Sequence, residues 1–315
     1  MGPGQLHTLP GRCWLAAAKR TAKGYSADRL GDWAAALTYY GVLSIFPGLL
    51  LLVTLLRLTG TGTTNAVLNN LGALAPGTVR TILLSAASNL QHSRQGTADL
   101  IAVASLLGAL WSASGYVGAF MRASNAIYDV PEGRPLWKRL PIRLALTVVT
   151  GLVLTAAAII VVFTGRLASS VGSALGIGST AVTVWSIAKW PVLVVIVAIL
   201  FDILFWACPN AKHGGFRWVS PGGVLAVLVW LLASAGFATF VANFGSYNQT
   251  YGSLAAVIIF LVWLWLSNLA VLIGAEFNAE IQRGRALRAG HPPQAEPYLQ
   301  PRDNVRPGTP GPDLH

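Results

Sequence analysis

Residues Val219 to Phe244 read VSPGGVLAVLVWLLASAGFATFVANF, a run of twenty-six positions without one Asp, Glu, Lys or Arg. A hydrocarbon layer about 30 Å thick is crossed by about 20 helical residues rising 1.5 Å each, so this run is long enough to span it. Five other runs match it: Ala34 to Leu56, Leu100 to Met121, Leu144 to Thr164, Val182 to Cys208, and Leu254 to Ala275. Only Val182 to Cys208 contains ionisable residues. Helices and closed barrels are the two folds that satisfy every backbone group within a bilayer. The apolar positions here run continuously and do not alternate with period two, which argues against a barrel. The expected fold is all-α, a polytopic bundle of six transmembrane helices.

Composition agrees. Of 315 residues 54% are hydrophobic and 10% charged, where a soluble chain carries about 25% charged residues. A mean hydropathy of +0.59 excludes a soluble enzyme. The 22 Lys and Arg set the threading, because basic loops resist translocation. Seventeen fall in the N-terminal arm, the second and fourth loops and the tail; four fall in the alternate loops, and Lys189 lies inside a span. Both termini are therefore expected in the cytoplasm. The net charge of +11 forms collars around spans and not one basic face, so nucleic acid is not an expected partner. Cys13 and Cys208 are the only cysteines, too few for a disulfide framework. The early apolar run Trp14 to Ala18 is too short for a signal-peptide core.

Three parts follow: a cytoplasmic arm over 1–33, a six-helix membrane domain over 34–283, and a Pro-rich cytoplasmic tail over 284–315 that is expected to be disordered. In the first external loop, Asn65 to Gln91 places leucines and other aliphatics at helical spacing on either side of Pro76. That pattern predicts an external amphipathic helical hairpin, lying on the membrane or capping the bundle.

Ionisable residues inside a span cost roughly 2.5 to 3.5 kcal/mol on insertion scales. Lys189 lies near the external end of its span beside Trp190 and is expected to snorkel to the interface. Asp202 sits about 9 Å from the other end of that helix and either stays protonated or pairs with a cation or hydroxyl such as Arg122, Arg143 or a tyrosine, in a functional polar pocket or a purely structural pair. In the sixth span Asn268, Glu276 and Glu280 share one face; Asn268 is expected to hydrogen-bond across helices, and the two glutamates either join Asp202 or stand solvated near Arg283 and Arg285. Ser44 and Pro47 mark the first span, where proline frees the carbonyl of Leu43 and predicts a kink or local unwinding. These five, Asp202, Asn268, Glu276, Ser44 and Pro47, form the candidate intramembrane polar site. The small residues Gly108, Ser112, Ser114 and Gly118 suit close helix packing. The five histidines never fall at metal-ligand spacing, and no Gly-rich phosphate loop occurs, so neither a metal nor a cofactor is expected.

Several motifs then line up in order: Tyr39-Tyr40 through Phe46-Pro47; Trp111 to Ser114; Asn125 to Val130 with Arg134-Pro135; Pro209-Asn210-Ala211-Lys212 with Pro221-Gly222; and Asn248 to Leu254, including Tyr251 and Gly252, ending at Gly274-Ala275-Glu276. Together they resemble the YihY/BrkB family of bacterial inner-membrane proteins over roughly residues 14 to 283. The resemblance implies six membrane helices, placement in the cytoplasmic membrane and no settled activity. Members have been named ribonuclease BN, described as virulence or serum-resistance factors, or linked to export of lipopolysaccharide precursors. The ribonuclease name implies a clustered His and Asp metal site, which these residues do not supply.

Two expectations stay open. The chain is a transporter or flippase that passes the headgroup of a lipid or other amphiphile along its polar residues. Alternatively it is a non-transporting scaffold or envelope-integrity factor in which those residues knit helices together. An RNA-processing enzyme is the third reading and the least supported. Membrane lipids are the expected partners, and homo-oligomerisation is left open.

Overall fold

The computed structural model describes residues 11–58, 95–162, 179–213, 220–243, 253–292 and 295–305. Seven helices follow in order: α1 Gly11–Ala27, α2 Leu30–Leu58, α3 Gln95–Ile127, α4 Leu136–Val162, α5 Ser179–Ala207, α6 Pro221–Asn243 and α7 Ser253–Arg288. Among the described residues, parts of α4, α5, α6 and α7 are long and apolar enough to cross a membrane. The first and second expected spans lie on α2 and α3, helices of 29 and 33 residues. The expected hairpin over 65–91 lies outside the described residues, as do Asn248, Tyr251 and Gly252.

Helices α2 to α7 form a ring in chain order: each packs on the next, and α7 returns to pack on α2. The lipid-facing exterior is apolar, with Trp111, Leu152, Ile187 and Leu232 each about two-thirds or more exposed. Such a belt is unfavourable in water and natural in a bilayer. The described core gathers at the end of the ring that carries both α1 and the tail, here termed basal. Leu30, Leu37, Phe120, Met121, Cys208 and Leu272 are buried there.

Two glycines set the tightest crossing. A Cβ on Gly222 would strike the backbone oxygen of Gly274, and one on Gly274 would strike Gly222 and Ala226. Small residues here let α6 and α7 touch backbone to backbone.

Three expectations change. The N-terminal arm contains α1, a 17-residue helix lying along α7. Its buried positions Ala17, Thr21 and Gly24 recur at helical spacing, and Trp14 packs on Phe277 with ring centroids 6.1 Å apart and planes tilted by 37°. The tail does not lose structure at Gly284, because α7 continues to Arg288 and residues 295–305 dock on the loops. Lys212 N–H donates to Gln300 O at 2.8 Å and Arg302 N–H to Asn210 O at 2.8 Å, so backbone pairing offsets the poor apolar content. Helix α2 also runs as one helix across Pro47, with no unwound segment.

Candidate functional site

Pro47 leaves the carbonyl of Leu43 without an intrahelical donor. Ser112 on α3 supplies one, its hydroxyl donating at 2.9 Å. Ser44 donates to Tyr40 O of its own helix at 2.7 Å. The first-span pair is therefore an interhelical joint between α2 and α3. Further down α3, Arg143 of α4 donates to the carbonyl and hydroxyl of Ser114 at 2.5 and 2.7 Å, with room made by Gly118.

Asn268 links three helices: Tyr116 of α3 donates to its Oδ1 at 2.8 Å, and its Nδ2 donates to Thr38 Oγ1 of α2 at 3.1 Å. It is 3% exposed, so the interhelical role expected of it is realised in dense packing.

Asp202 meets neither Arg122 nor Arg143 in its hydrogen bonds to α6. It accepts from Ser220 N–H at 2.7 Å and from the Ser220 hydroxyl. Ser220 in turn caps α6, accepting from Gly223 N–H at 3.0 Å just ahead of Pro221 at the first helical position. Asn278 of α7 completes the junction, accepting from Gly222 N–H at 2.9 Å and donating to Ser220 Oγ at 2.8 Å. A carboxylate at a helix N-terminus is stabilised by the unpaired N–H groups there. Asp202 thus ties α5 to α6 and α7, beside a small cavity of about 70 Å³.

Lys189 is 5% exposed, with its ammonium 5.1 Å from the centroid of the Trp190 ring.

Glu276 departs furthest from the solvated reading. It is 2% exposed and lines a basal cavity of about 430 Å³ between α1, the end of α3, α7 and the tail. Five of the eleven carboxylates of the chain face this cavity: Asp28, Asp129, Glu276, Glu280 and Glu296. The carboxyls of Asp28 and Glu276 meet beside Gly24. Gly24 makes this meeting possible, since a Cβ there would collide with Glu276. Glu276 Oε2 is buried without a hydrogen-bond partner. Glu280 is ion-paired with Arg20 and with Arg283, the latter at 3.1 Å. Desolvation holds the Asp28 carboxyl above its ordinary value. Desolvation at the cavity mouth, then Glu296 and Asp28, push Asp129 up to about 6. Tyr128 lines both the large cavity and the small one at Asp202, and separates them.

Beside the cavity the motif residues Asn125, Arg134, Pro209 and Asn210 assemble into one knot. Asn210, fully buried, donates its backbone N–H to Asn125 Oδ1 at 2.7 Å and its side-chain amide to Pro131 O and Asp303 O. Arg134 pairs with Glu132 at 2.7 Å and donates to Cys208 O at 2.8 Å. Tyr39 stands 61% exposed on the outer surface, while Arg122 lies 5.8 Å over the Tyr40 ring. Sequence reasoning did not place Asp28, Asp129 or Glu296 in a site, although Asp129 falls in the Asn125 to Val130 motif; the signal common to all three is the scarcity of acids in so basic a chain. Among the described residues no group of three or more His, Cys, Asp or Glu is arranged to hold a metal ion.

Comparison with known proteins gives a consistent relationship. The family model described as Virulence factor BrkB matches residues 21–298. The "Putative ribonuclease-like protein YfkH" of Bacillus subtilis is 31% identical over 268 residues, covering 84% of this chain and 93% of that one. A "UPF0761 membrane protein" of Alkalilimnicola ehrlichii is 32% identical over 212 residues, covering 62% of this chain and 44% of that one. Another, azo3165 of Azoarcus sp., is 28% identical over 306 residues, covering 90% and 68%. The chain thus spans nearly all of the Bacillus relative but less than half of the Alkalilimnicola one. No solved structure matches it. The profile match over most of the chain and the apolar helical bundle agree: this is a membrane protein belonging to the Virulence factor BrkB family.

Proposed function

We propose that the chain crosses a bacterial cytoplasmic membrane six times with both termini inside, and moves a lipid or other amphiphile by admitting its headgroup at the basal cavity. One observation carries this reading: a 430 Å³ polar cavity at the collar-bearing end of an apolar ring, with a buried glutamate oxygen that lacks a partner. A polar group left unpaired in a desolvated site costs free energy that a ligand can recover. The apolar ring exterior would accept acyl chains while the cavity holds the polar end. The proposal involves no catalytic step, and cleavage of a precursor RNA by the purified protein with added divalent metal would overturn that part.

The test is reconstitution into liposomes with fluorescent lipid reporters of several headgroups. Wild type is expected to raise transbilayer movement above that of empty vesicles, and Glu276→Gln to reduce it. Asp202→Asn is the poorer probe, because Asp202 holds the start of α6.

A second reading is a non-transporting scaffold. It is favoured by the way Asp202 and Asn268 spend their polar atoms on neighbouring elements and Ser44 spends its hydroxyl on its own helix. Reporter movement equal to that of empty vesicles for every headgroup would select it.

A further inference from the structure

The cavity lining is not electrically balanced. Five carboxylates, Asp28, Asp129, Glu276, Glu280 and Glu296, face the three cations Arg20, Lys23 and Arg283. Both arginines pair with Glu280, which leaves Asp28, Asp129, Glu276 and Glu296 with Lys23 at the exposed rim. Glu276 Oε2 adds a geometric demand, being a buried acceptor with no donor. A ligand that meets both demands carries positive charge and an N–H group.

The space is too large for a bare ion. A cavity of 430 Å³ falls within the range of small-molecule sites. The carboxylates stand on α1's turn, α3's end, α7 and the tail, and among the described residues they form no compact metal-binding group. Carboxylates spread around a roomy site suit an organic cation better than a divalent ion, which needs close oxygen ligands at 2.0 to about 2.6 Å.

We propose that the basal cavity is a binding site for a primary ammonium group, with Glu276 Oε2 accepting one N–H and Asp129 and Glu296 closing the charge at the mouth. This deepens the preceding proposal and rests on its reading of the cavity as a binding site. The ammonium comes either from a soluble amine or from the headgroup of an aminophospholipid, and the chemistry at the carboxylates is the same.

The test uses the full chain in detergent, titrated with ethanolamine hydrochloride and, at matched ionic strength, with potassium chloride. Binding is read by calorimetry and by the unfolding midpoint. A saturable ethanolamine response that potassium does not reproduce is expected. Losing a charged hydrogen-bond partner is worth about tenfold to a hundredfold in affinity, so Glu276→Gln should weaken binding by that much. Asp129→Asn is the second variant, standing at the exposed mouth in a left-handed conformation (φ 51°) that asparagine also adopts. It too should weaken binding, whereas Asp32→Asn, on the surface in a pair with Arg29, should not.

Repeating the titration in nanodiscs separates the sources. If phosphatidylethanolamine blocks the ethanolamine response and phosphatidylcholine does not, the lipid headgroup is the ligand. If neither blocks it, the ligand is a soluble amine. Equal responses to ethanolamine and potassium, wild-type affinity in both cavity variants, or a response to pH alone would overturn the proposal. Ammonium binding without lipid movement in liposomes would keep this site and remove transport; lipid movement without ammonium binding would do the reverse.

Discussion

Arg134 and Glu132 show how much one pair can hold at the residue scale. The Arg134 side chain is 2% exposed and its partner 23%. Removing Glu132 strands a buried charge, and Glu132→Ala is expected to cost about 3 to 5 kcal/mol, read as a fall in the thermal unfolding midpoint. Glu132→Gln with Arg134→Met should recover much of that loss, because the uncompensated charge is gone. Burial works against the Glu132 charge, yet Arg134 wins and holds its carboxyl below the ordinary range. That contribution is present at neutral pH and is lost as pH falls through the lowered value. Asp129 has the opposite sign. Its carboxyl is raised from 3.8 to about 6, so the native state binds the proton more readily and stability falls as pH climbs across that window. Asp129→Asn should flatten this fall, measured by unfolding midpoints between about pH 4 and 8. The sequence displayed Asn125, Arg134 and Asn210 as separate motifs. That they meet could not be read, since Asn125 and Asn210 are 85 positions apart, and hydrogen-bond partners across such a distance have no periodicity to betray them.

At the scale of elements, the apolar runs gave themselves away because bilayer thickness dictates their length. Helix α1 did not. Its buried stripe is built from Ala17, Thr21 and Gly24, small residues with little hydrophobic signal, while Lys19, Arg20 and Lys23 read as a solvated arm. Gly24→Val should force Glu276 and Asp28 apart and lift α1 from α7, at a cost typical of overpacking, about 1 to 3 kcal/mol, seen as faster proteolysis within residues 11–27. The tail misled for a related reason: proline-rich composition speaks for the absence of an independent core, yet says nothing of backbone pairing with another loop. Deleting residues 293–315 should expose the Asn210 knot and lower the unfolding midpoint, because Asp303 and Arg302 leave it. The candidate site was half legible. Glu276 was on the page, but its neighbours came from a turn, a helix end and the tail, where no repeating pattern brings residues into register.

For the whole molecule, the ring of α2 to α7 follows chain order, and the asymmetry of basic loops is the ground for the proposed orientation. Single cysteines placed at positions 136, where the side chain is 70% exposed, and 305 should react with an impermeant thiol reagent only after the membrane is opened, and one placed at position 248 should react in intact cells. Labelling of position 305 from outside would reverse the orientation. One joint limits how such a ring can change shape. Because the carbonyl freed by Pro47 is served by Ser112 from the adjacent helix, a shift of α2 by one turn along α3 would strand an acceptor in hydrocarbon, at a cost of several kcal/mol. These two helices are thereby permitted to tilt about that bond as a pivot and forbidden to slide, so any opening of the ring must be angular there.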